Sequence, residues 1–201
     1  MTRSVYRDLG GKRIFDLGIA VVLFPIWILV TGVLYFLVFA FIGSPVIFRQ
    51  TRSGKRGREF ELLKFRTMRP DASGNLADED RILPLGRVLR RWSLDELPEY
   101  VNIVRGEMSF VGPRPLLPQY LTRYSDRQLA RLSVLPGLTG LAQVSGRNNL
   151  GWDETFELDV LYVSRISLME DIRILLKTFI VMAHGRGAGY DGESSRGEFR
   201  G

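Results

Sequence analysis

No residue between positions 17 and 48 carries a charge, and the centre of this stretch reads LGIAVVLFPIWILVTGVLYFLVFAFI. That length meets the requirement of roughly 20 apolar residues for a helix to cross a bilayer. The run is apolar on every face, which argues against an ordinary amphipathic core helix. A secretory signal is disfavoured, because its apolar region would be too long and no small-x-small cleavage site precedes the basic segment that follows. The stretch is therefore expected to associate with a membrane. Arg3, Arg7, Lys12 and Arg13 precede it, and Arg49, Arg52, Lys55, Arg56 and Arg58 follow it. Positive flanks mark the cytoplasmic side, and here both flanks are positive. Pro25 removes a backbone donor about a third of the way in and can bend a helix sharply. Two topologies fit: a re-entrant helix–break–helix with both ends cytoplasmic, and a single span kinked at the proline.

The remaining chain is long enough for one compact unit with a real core. There are no cysteines, and the single histidine is His184 in a Gly-rich tail. Disulfides, thiolate zinc sites, a cysteine nucleophile and a histidine-based triad are thereby excluded. Chemistry must fall to Asp, Glu, Lys, Tyr, Ser or Thr. The net charge of +6 suits nucleic acid, anionic lipid or a phosphorylated small molecule without choosing among them.

Residues 49–58, RQTRSGKRGR, read as a basic turn, and EFELLKFRTM as a short strand. RILPLGRVLRRW predicts a short helix, followed by another starting near Ser93. Residues 102–121 are punctuated by Gly112, Pro113, Pro115 and Pro118 and predict loop. YLTRYSDRQLARLSVL has helical spacing, and residues 153–184 predict one or two amphipathic helices. Helices such as 168–183, rich in Leu, Ile, Val and Phe beside basic residues, fit either a membrane interface or the core face of a globular unit. The expected architecture is mainly α with short β segments. Residues 1–48 form the membrane segment, 49–184 a compact catalytic unit with interfacial amphipathic helices, and 185–201 a disordered Gly/Ser-rich tail.

The stretch RRWSLDELPEY places Asp95 beside Glu96. Ser93-Leu94-Asp95-Glu96 matches a capping box, with Ser93 as cap and Glu96 reaching back to its amide. Asp95 would then lie in a first helical turn, where the dipole keeps a carboxylate ionised and free amides suit a phosphate. Lys64, Arg66, Arg90, Arg91, Arg114 and Arg147 lie in short stretches rich in Gly, Pro or aromatics. As a set they fit a phosphate or diphosphate site. Mg²⁺, held by one or two carboxylates, commonly accompanies a diphosphate. Adjacent carboxylates could divide attack on phosphorus from metal binding.

The motifs KRIFDLGIA, GSPVIFRQTRSGKRGREFELLKFRTM, DEDRILPLGRVLRRWSLDELPEYVNIVRGEMSFVGPRP, PGLTGLAQVSGRN and FELDVLYV together resemble the bacterial sugar transferase family, the monotopic phosphoglycosyl transferases. The likeness runs from about Lys12 to Ala183 and suggests a minimal catalytic unit, similar to the enzyme that starts bacterial N-linked glycan assembly. It implies transfer of a sugar 1-phosphate from a UDP-sugar to polyprenyl (undecaprenyl) phosphate, releasing UMP by a ping-pong route. In that reading Asp95 is the nucleophile, Glu96 its partner in organising the phosphates with Mg²⁺, and Lys64, Arg90 and Arg114 the phosphate contacts. Arg66, Arg91 and Arg147 remain additional candidates, and Asp159 matches a family acid with no assigned role. The resemblance also implies the re-entrant form at Pro25 and a place on the cytoplasmic face of the bacterial inner membrane. The implied partners are UDP-sugar, polyprenyl phosphate, membrane lipid, downstream glycosyltransferases and, with the oligomeric state left open, a second copy in a homodimer; nucleic acid is not among them.

The chain departs from the family pattern at Phe24, where a small polar residue is common, and at Glu99-Tyr100, where Gln-Leu is common. The second departure is expected to bear little on the chemistry. Rival readings are a membrane-anchored nucleic-acid binder using residues 49–58, a non-catalytic scaffold for glycan assembly, and direct transfer in a ternary complex without a covalent intermediate.

Overall fold

The computed structural model describes residues 6, 10–69, 78–146, 150–183, 197 and 199–200. It is mostly helical, with a few short strands. Helix α1 (Gly11–Phe41) starts after Gly10 in the left-handed region and runs through the apolar stretch. Pro25 lies inside it, and helical residues continue on both sides. The expected interruption is thus not an unwound segment. At 1.5 Å per residue α1 is about 46 Å long, more than the roughly 30 Å of a hydrocarbon core. Only one stripe is buried, carrying Lys12, Asp16, Ala20, Leu34 and Val38. Val21, Val22, Ile26, Leu29, Phe36 and Phe39 are exposed, an apolar surface far larger than a soluble monomer normally leaves to water.

An antiparallel hairpin follows, β1 (Ile47–Ser53) paired with β2 (Glu59–Phe65) in a register from Ile47 opposite Phe65 to Ser53 opposite Glu59. Half of the expected basic turn over 49–58 is therefore strand. The chain reverses only across 54–58, where the Gly54 amide donates to the Arg58 carbonyl at 2.7 Å. The sequence reading missed β1 because its charges mask the alternation: Phe48, Gln50 and Arg52 share one face.

Short helices α2 (Asp78–Arg81) and α3 (Pro84–Arg91) come next, α3 with the favoured proline in its first turn. A Cβ on Gly86 would lie 2.1 Å from the Thr67 carbonyl oxygen, so only glycine lets α3 seat against the end of the hairpin. A 3-10 turn (Leu94–Glu96) leads into α4 (Glu99–Arg105). Asn102, fully buried, ties α4 to β2: its Oδ1 accepts from the Leu63 amide at 3.1 Å and its Nδ2 donates to the Glu61 carbonyl at 2.7 Å.

Strand β3 (Ser109–Val111) pairs in parallel with β4 (Gly137–Thr139). A Cβ on Gly137 would meet the Gly112 nitrogen at 2.0 Å, so the two glycine-bearing loops can cross only as glycines, and this crossing fixes where Pro113 and Arg114 emerge. The predicted helix over 120–135 is instead fragmented into a 3-10 turn (Pro118–Arg123), α5 (Asp126–Leu129) and a second 3-10 turn (Ala130–Ser133). After the short α6 (Leu141–Ser145), the stretch expected to hold one or two helices forms two, α7 (Trp152–Arg165) and α8 (Leu168–Ala183).

The largest core cluster joins α1, α4, β3 and the last two helices through Ala20, Ile103, Met108, Val111, Tyr162 and Ile174. Beside it the Asp171 carboxylate accepts from the Tyr6 hydroxyl and Lys12 Nζ at 2.5 Å each and from the Tyr162 hydroxyl at 2.7 Å. The start of α1 is thereby locked to α8 by a satisfied buried charge. Most of the tail expected over 185–201 lies outside the described residues. Phe199 departs from that expectation: it is buried with Tyr120, Tyr124 and Phe156 in an aromatic cluster.

Candidate active site

A cavity of about 1430 Å³ opens between α1, the hairpin, the 94–96 turn and α8. One part is polar, lined by Arg52, Lys64, Arg90, Asp95, Glu96 and Arg114; another is an apolar wall of Val22, Ile26 and Val30 from α1 with Leu175, Phe179 and Met182 from α8. Five separate segments deliver the charges. Arg52 stands on β1, Lys64 on β2 opposite Phe48, Arg90 lies in the last turn of α3, the acids sit on the 3-10 turn and Arg114 follows β3.

The capping box expected at Ser93 does not form. Ser93 adopts φ 53°, ψ 25°, and its side chain caps nothing. Glu96 instead faces the cations: Lys64 Nζ donates to its Oε1 at 2.6 Å and Arg114 Nη2 to the same oxygen at 3.1 Å. Two charge-assisted bonds outweigh one bond to the Ser93 amide, which donates instead to the Arg90 carbonyl at 3.1 Å. The left-handed serine is the local strain that turns the acidic pair into the cavity.

Asp95 is 9% exposed. Burial and the neighbouring Glu96 push its carboxyl above the usual range, against the pull of Lys64, Arg90 and Arg114. The expectation that a helix dipole keeps it ionised is therefore corrected: the turn is three residues long, and Lys64, Arg90 and Arg114, not a dipole, oppose the protonation that burial and Glu96 favour. Glu96 behaves oppositely. Burial opposes its charge, but Lys64 and Arg114 hold it down at about 2. Lys64 is itself held charged by Glu96 and Glu99 in spite of its burial. Arg90 donates from Nε to the Thr67 hydroxyl at 2.8 Å, which aims its guanidinium beside Asp95.

Among the additional candidates, Arg66 lines the cavity and donates to the Ser44 carbonyl at 2.9 Å. Arg91 is exposed and is not among the cavity-lining residues. Arg147 lies outside the described residues. Asp159 is 2% exposed and accepts from Arg131 Nε at 3.0 Å and Nη2 at 2.9 Å. The same Nη2 donates to the Arg114 carbonyl at 2.6 Å, so Asp159 holds the backbone of a site arginine.

Sequence reasoning missed Arg52 and the buried contact of Glu99 with Lys64. Arg52 points from β1 into the cavity, bonded to Gln50 Oε1 at 2.6 Å, with its buried Nε unpaired. The alternation Phe48, Gln50, Arg52 was the signal that could have found it. Glu99, expected to matter little, is 3% exposed and lies 3.2 Å from Lys64 Nζ. Burial and the charge of Glu96 push it up to about 7. Between about 4.5, its ordinary value, and 7 the folded protein holds a proton on Glu99 that the unfolded chain has released, so stability falls as pH rises through that window. Glu96 contributes stability that is lost as pH falls from 4.5 toward 2. Melting curves of the Mg²⁺-free protein should therefore decline from pH 4.5 to 7, and Glu99→Gln should flatten that decline; an unchanged slope would contradict the assignment.

Among the described residues no group of three or more acidic, histidine or cysteine side chains is placed to hold a metal ion. Asp95 and Glu96, which both line the cavity, are the two carboxylates of the kind that would hold a Mg²⁺ whose shell substrate phosphates and water complete. Chemically the cavity can hold a phosphate ester beside two carboxylates while an apolar chain lies along its helical wall.

The family model for bacterial sugar transferases matches residues 7–185. An uncharacterized sugar transferase of Bacillus subtilis, EpsL, is 46% identical over 174 residues, covering 83% of this chain and 84% of that relative. The UDP-glucose:undecaprenyl-phosphate glucose-1-phosphate transferase of Caulobacter vibrioides is 43% identical over 150 residues, covering 67% of this chain and 55% of the relative. The undecaprenyl-phosphate galactose phosphotransferase of Salmonella typhimurium is 37% identical over 166 residues, covering 73% of this chain and 35% of the relative. The chain belongs to the bacterial sugar transferase family.

Proposed function

We propose that this protein transfers a sugar 1-phosphate from a UDP-sugar to undecaprenyl phosphate, giving undecaprenyl diphosphate sugar and UMP, as the first membrane step of a bacterial polysaccharide or glycoconjugate. The observation that carries this reading is the two-part cavity, with Asp95 and Glu96 under cations at one part and an apolar wall of α1 and α8 at the other. The names of the relatives add the donor and acceptor classes.

A carboxylate oxygen of Asp95 attacks the phosphorus that bears the sugar. The bond from that phosphorus to the bridging oxygen breaks, and UMP leaves with the electron pair. The phosphosugar rests on Asp95 as an acyl phosphate. An oxygen of undecaprenyl phosphate then attacks the same phosphorus, and the Asp95 carboxylate is released. Lys64 and Arg114 orient Glu96 and meet phosphate charge; Arg90, fixed by Thr67, serves the Asp95 side. Asp95 and Glu96 would hold Mg²⁺, which when bound neutralises charge on the diphosphate. Such transfers depend on positioning and electrostatics, so the lack of a catalytic Cys or His is no obstacle.

A monotopic, re-entrant placement on the cytoplasmic face is supported by α1. Its contacts with the catalytic unit run from Lys12, bonded to Asp171, to Val38, clustered with Val46, Phe65 and Leu89. That is about 39 Å of helix at 1.5 Å per residue, and both ends stay with the same body. Exposed Met169, Leu176, Phe179 and Ile180 of α8 offer a further interfacial surface.

The test is UMP release by protein in nanodiscs with Mg²⁺ and a panel of UDP-sugars. Multiple turnover with at least one donor, dependent on undecaprenyl phosphate, is the expected result. No release with any donor would overturn the proposal and favour a scaffold.

A further inference from the structure

The two departures from the family pattern, Phe24 and Glu99-Tyr100, meet in space. The Trp27 ring stacks on Tyr100 with centroids 4.3 Å apart and planes at 18°, and Phe24 stacks on the same Trp27 ring at 6.1 Å. Trp27 Nε1 donates to the Leu97 carbonyl at 2.9 Å, and the Tyr100 hydroxyl donates to the Ala20 carbonyl at 2.7 Å. Pro25 has no N–H, so the Val21 carbonyl loses its normal helical donor. Phe24 brings no polar side chain to this place; Tyr100 reaches in from α4 to the adjacent carbonyl. Farther along, Arg13 donates to the Ile103 and Val104 carbonyls at the end of α4.

The ties on α1 fall at residues 13, 20 and 27, one heptad apart and therefore on one face. Their partners run in the reverse order, 103–104, 100 and 97. Helix α4 and the turn before it thus lie antiparallel on α1, registered at three points. Leu97 directly follows Glu96, so the Trp27 bond acts one residue from the acidic pair.

We propose, building on the transfer reaction above, that Trp27 and Tyr100 are positioning residues: the pair registers the Asp95–Glu96 turn against the membrane helix at its proline. The acids must meet a phosphate arriving at headgroup level, and α1 is the element that sits in the lipid. A turn tied to α1 keeps its depth whatever the rest of the catalytic unit does. Removing one tie loosens that depth without touching any group that contacts a phosphate.

The test uses full-length protein in nanodiscs. Tyr100→Phe keeps the stacked ring and loses the hydroxyl bond, Trp27→Phe keeps an aromatic ring and loses the Nε1 bond, and Tyr100→Leu loses both ring and hydroxyl. Misplacement of a reacting group by a fraction of an ångström commonly costs about 10-fold or more in rate. Each Phe variant should therefore lower kcat about 10-fold with KM for the UDP-sugar within about 2-fold. The double Phe variant should lose little more than either single one, because both ties set one coordinate. Hydrogen exchange of the amides of residues 96–102 should speed in each variant while Tm changes by under about 3 °C. Unchanged kcat and unchanged exchange in Tyr100→Phe would overturn the proposal. So would a kcat loss matched by a fall in Tm, which marks a merely structural role. Absence of UMP release from the wild type would sink the transfer reading instead, and the exchange measurement would still decide whether the tie exists.

Discussion

Asp95→Asn is expected to lower turnover by about 10⁴-fold or more, the scale seen when a covalent nucleophile is removed from a catalytic unit. The change keeps the size of the side chain and its place on the 3-10 turn. It removes the carboxylate oxygen proposed to attack phosphorus, and with it the negative charge beside Lys64, Arg90 and Arg114. Folding should survive, because burial and Glu96 already oppose the charge on Asp95. The variant is therefore expected to melt at or slightly above the wild-type temperature. Glu96→Gln offers the contrast: Glu96 is the acceptor of two charge-assisted bonds, so its loss should cost both activity and stability. Steady-state UMP release and melting curves on the same preparations check both expectations.

Asp159→Ala is expected to cost about 3–5 kcal/mol of stability, the range for stripping one partner from a buried ion pair. Asp159 and Arg131 are each 2% exposed at the side chain. The Arg131 guanidinium also lies 5.5 Å from the Phe156 ring centroid and donates to the Tyr124 hydroxyl at 3.2 Å. Without Asp159 it would be a buried cation held only by neutral groups. For a chain of this length such a loss lowers Tm by about 10 °C. A second effect follows from the bond between Arg131 Nη2 and the Arg114 carbonyl: the loop that presents Arg114 to Glu96 loosens, and KM for the UDP-sugar should rise in the fraction that remains folded. Asp159→Asn keeps an acceptor and should lose less on both counts. A melting temperature within about 2 °C of wild type in Asp159→Ala would show that the pair carries no net weight.

The apolar α1 was legible because nothing else places so long an uncharged run in one chain, and the hairpin was half legible because β2 opens on the alternation Glu59, Phe60, Glu61, Leu62. The capping boxes show where local reading stops. Ser93 to Glu96 has the pattern and does not use it, because Lys64 and Arg114 arrive from distant segments and take Glu96. Ser125 to Gln128 forms a true box, with the Gln128 amide donating to the Ser125 hydroxyl at 3.3 Å and the Ser125 amide to Gln128 Oε1 at 3.0 Å, and there no tertiary charge competes for the neutral side chain. The sequence motifs singled out Lys64, Arg90, Asp95, Glu96 and Arg114, which the fold brings to one cavity. Arg52, the Lys64–Glu99 contact and the Arg131–Asp159 pair depend on strand facing and long-range packing. No spacing in the chain encodes the last two. The topology of α1 likewise turns on contacts from Lys12 to Val38 that hydropathy cannot see.

The central claim is that the phosphosugar passes through Asp95. The direct measurement is the intact mass of the purified protein after incubation with Mg²⁺ and the productive UDP-sugar, with undecaprenyl phosphate left out. The account predicts a mass increase of one phosphosugar, one UMP released per chain, and the disappearance of both in Asp95→Asn. No adduct, with UMP appearing only once lipid phosphate is added, would contradict it and establish direct transfer between the two substrates.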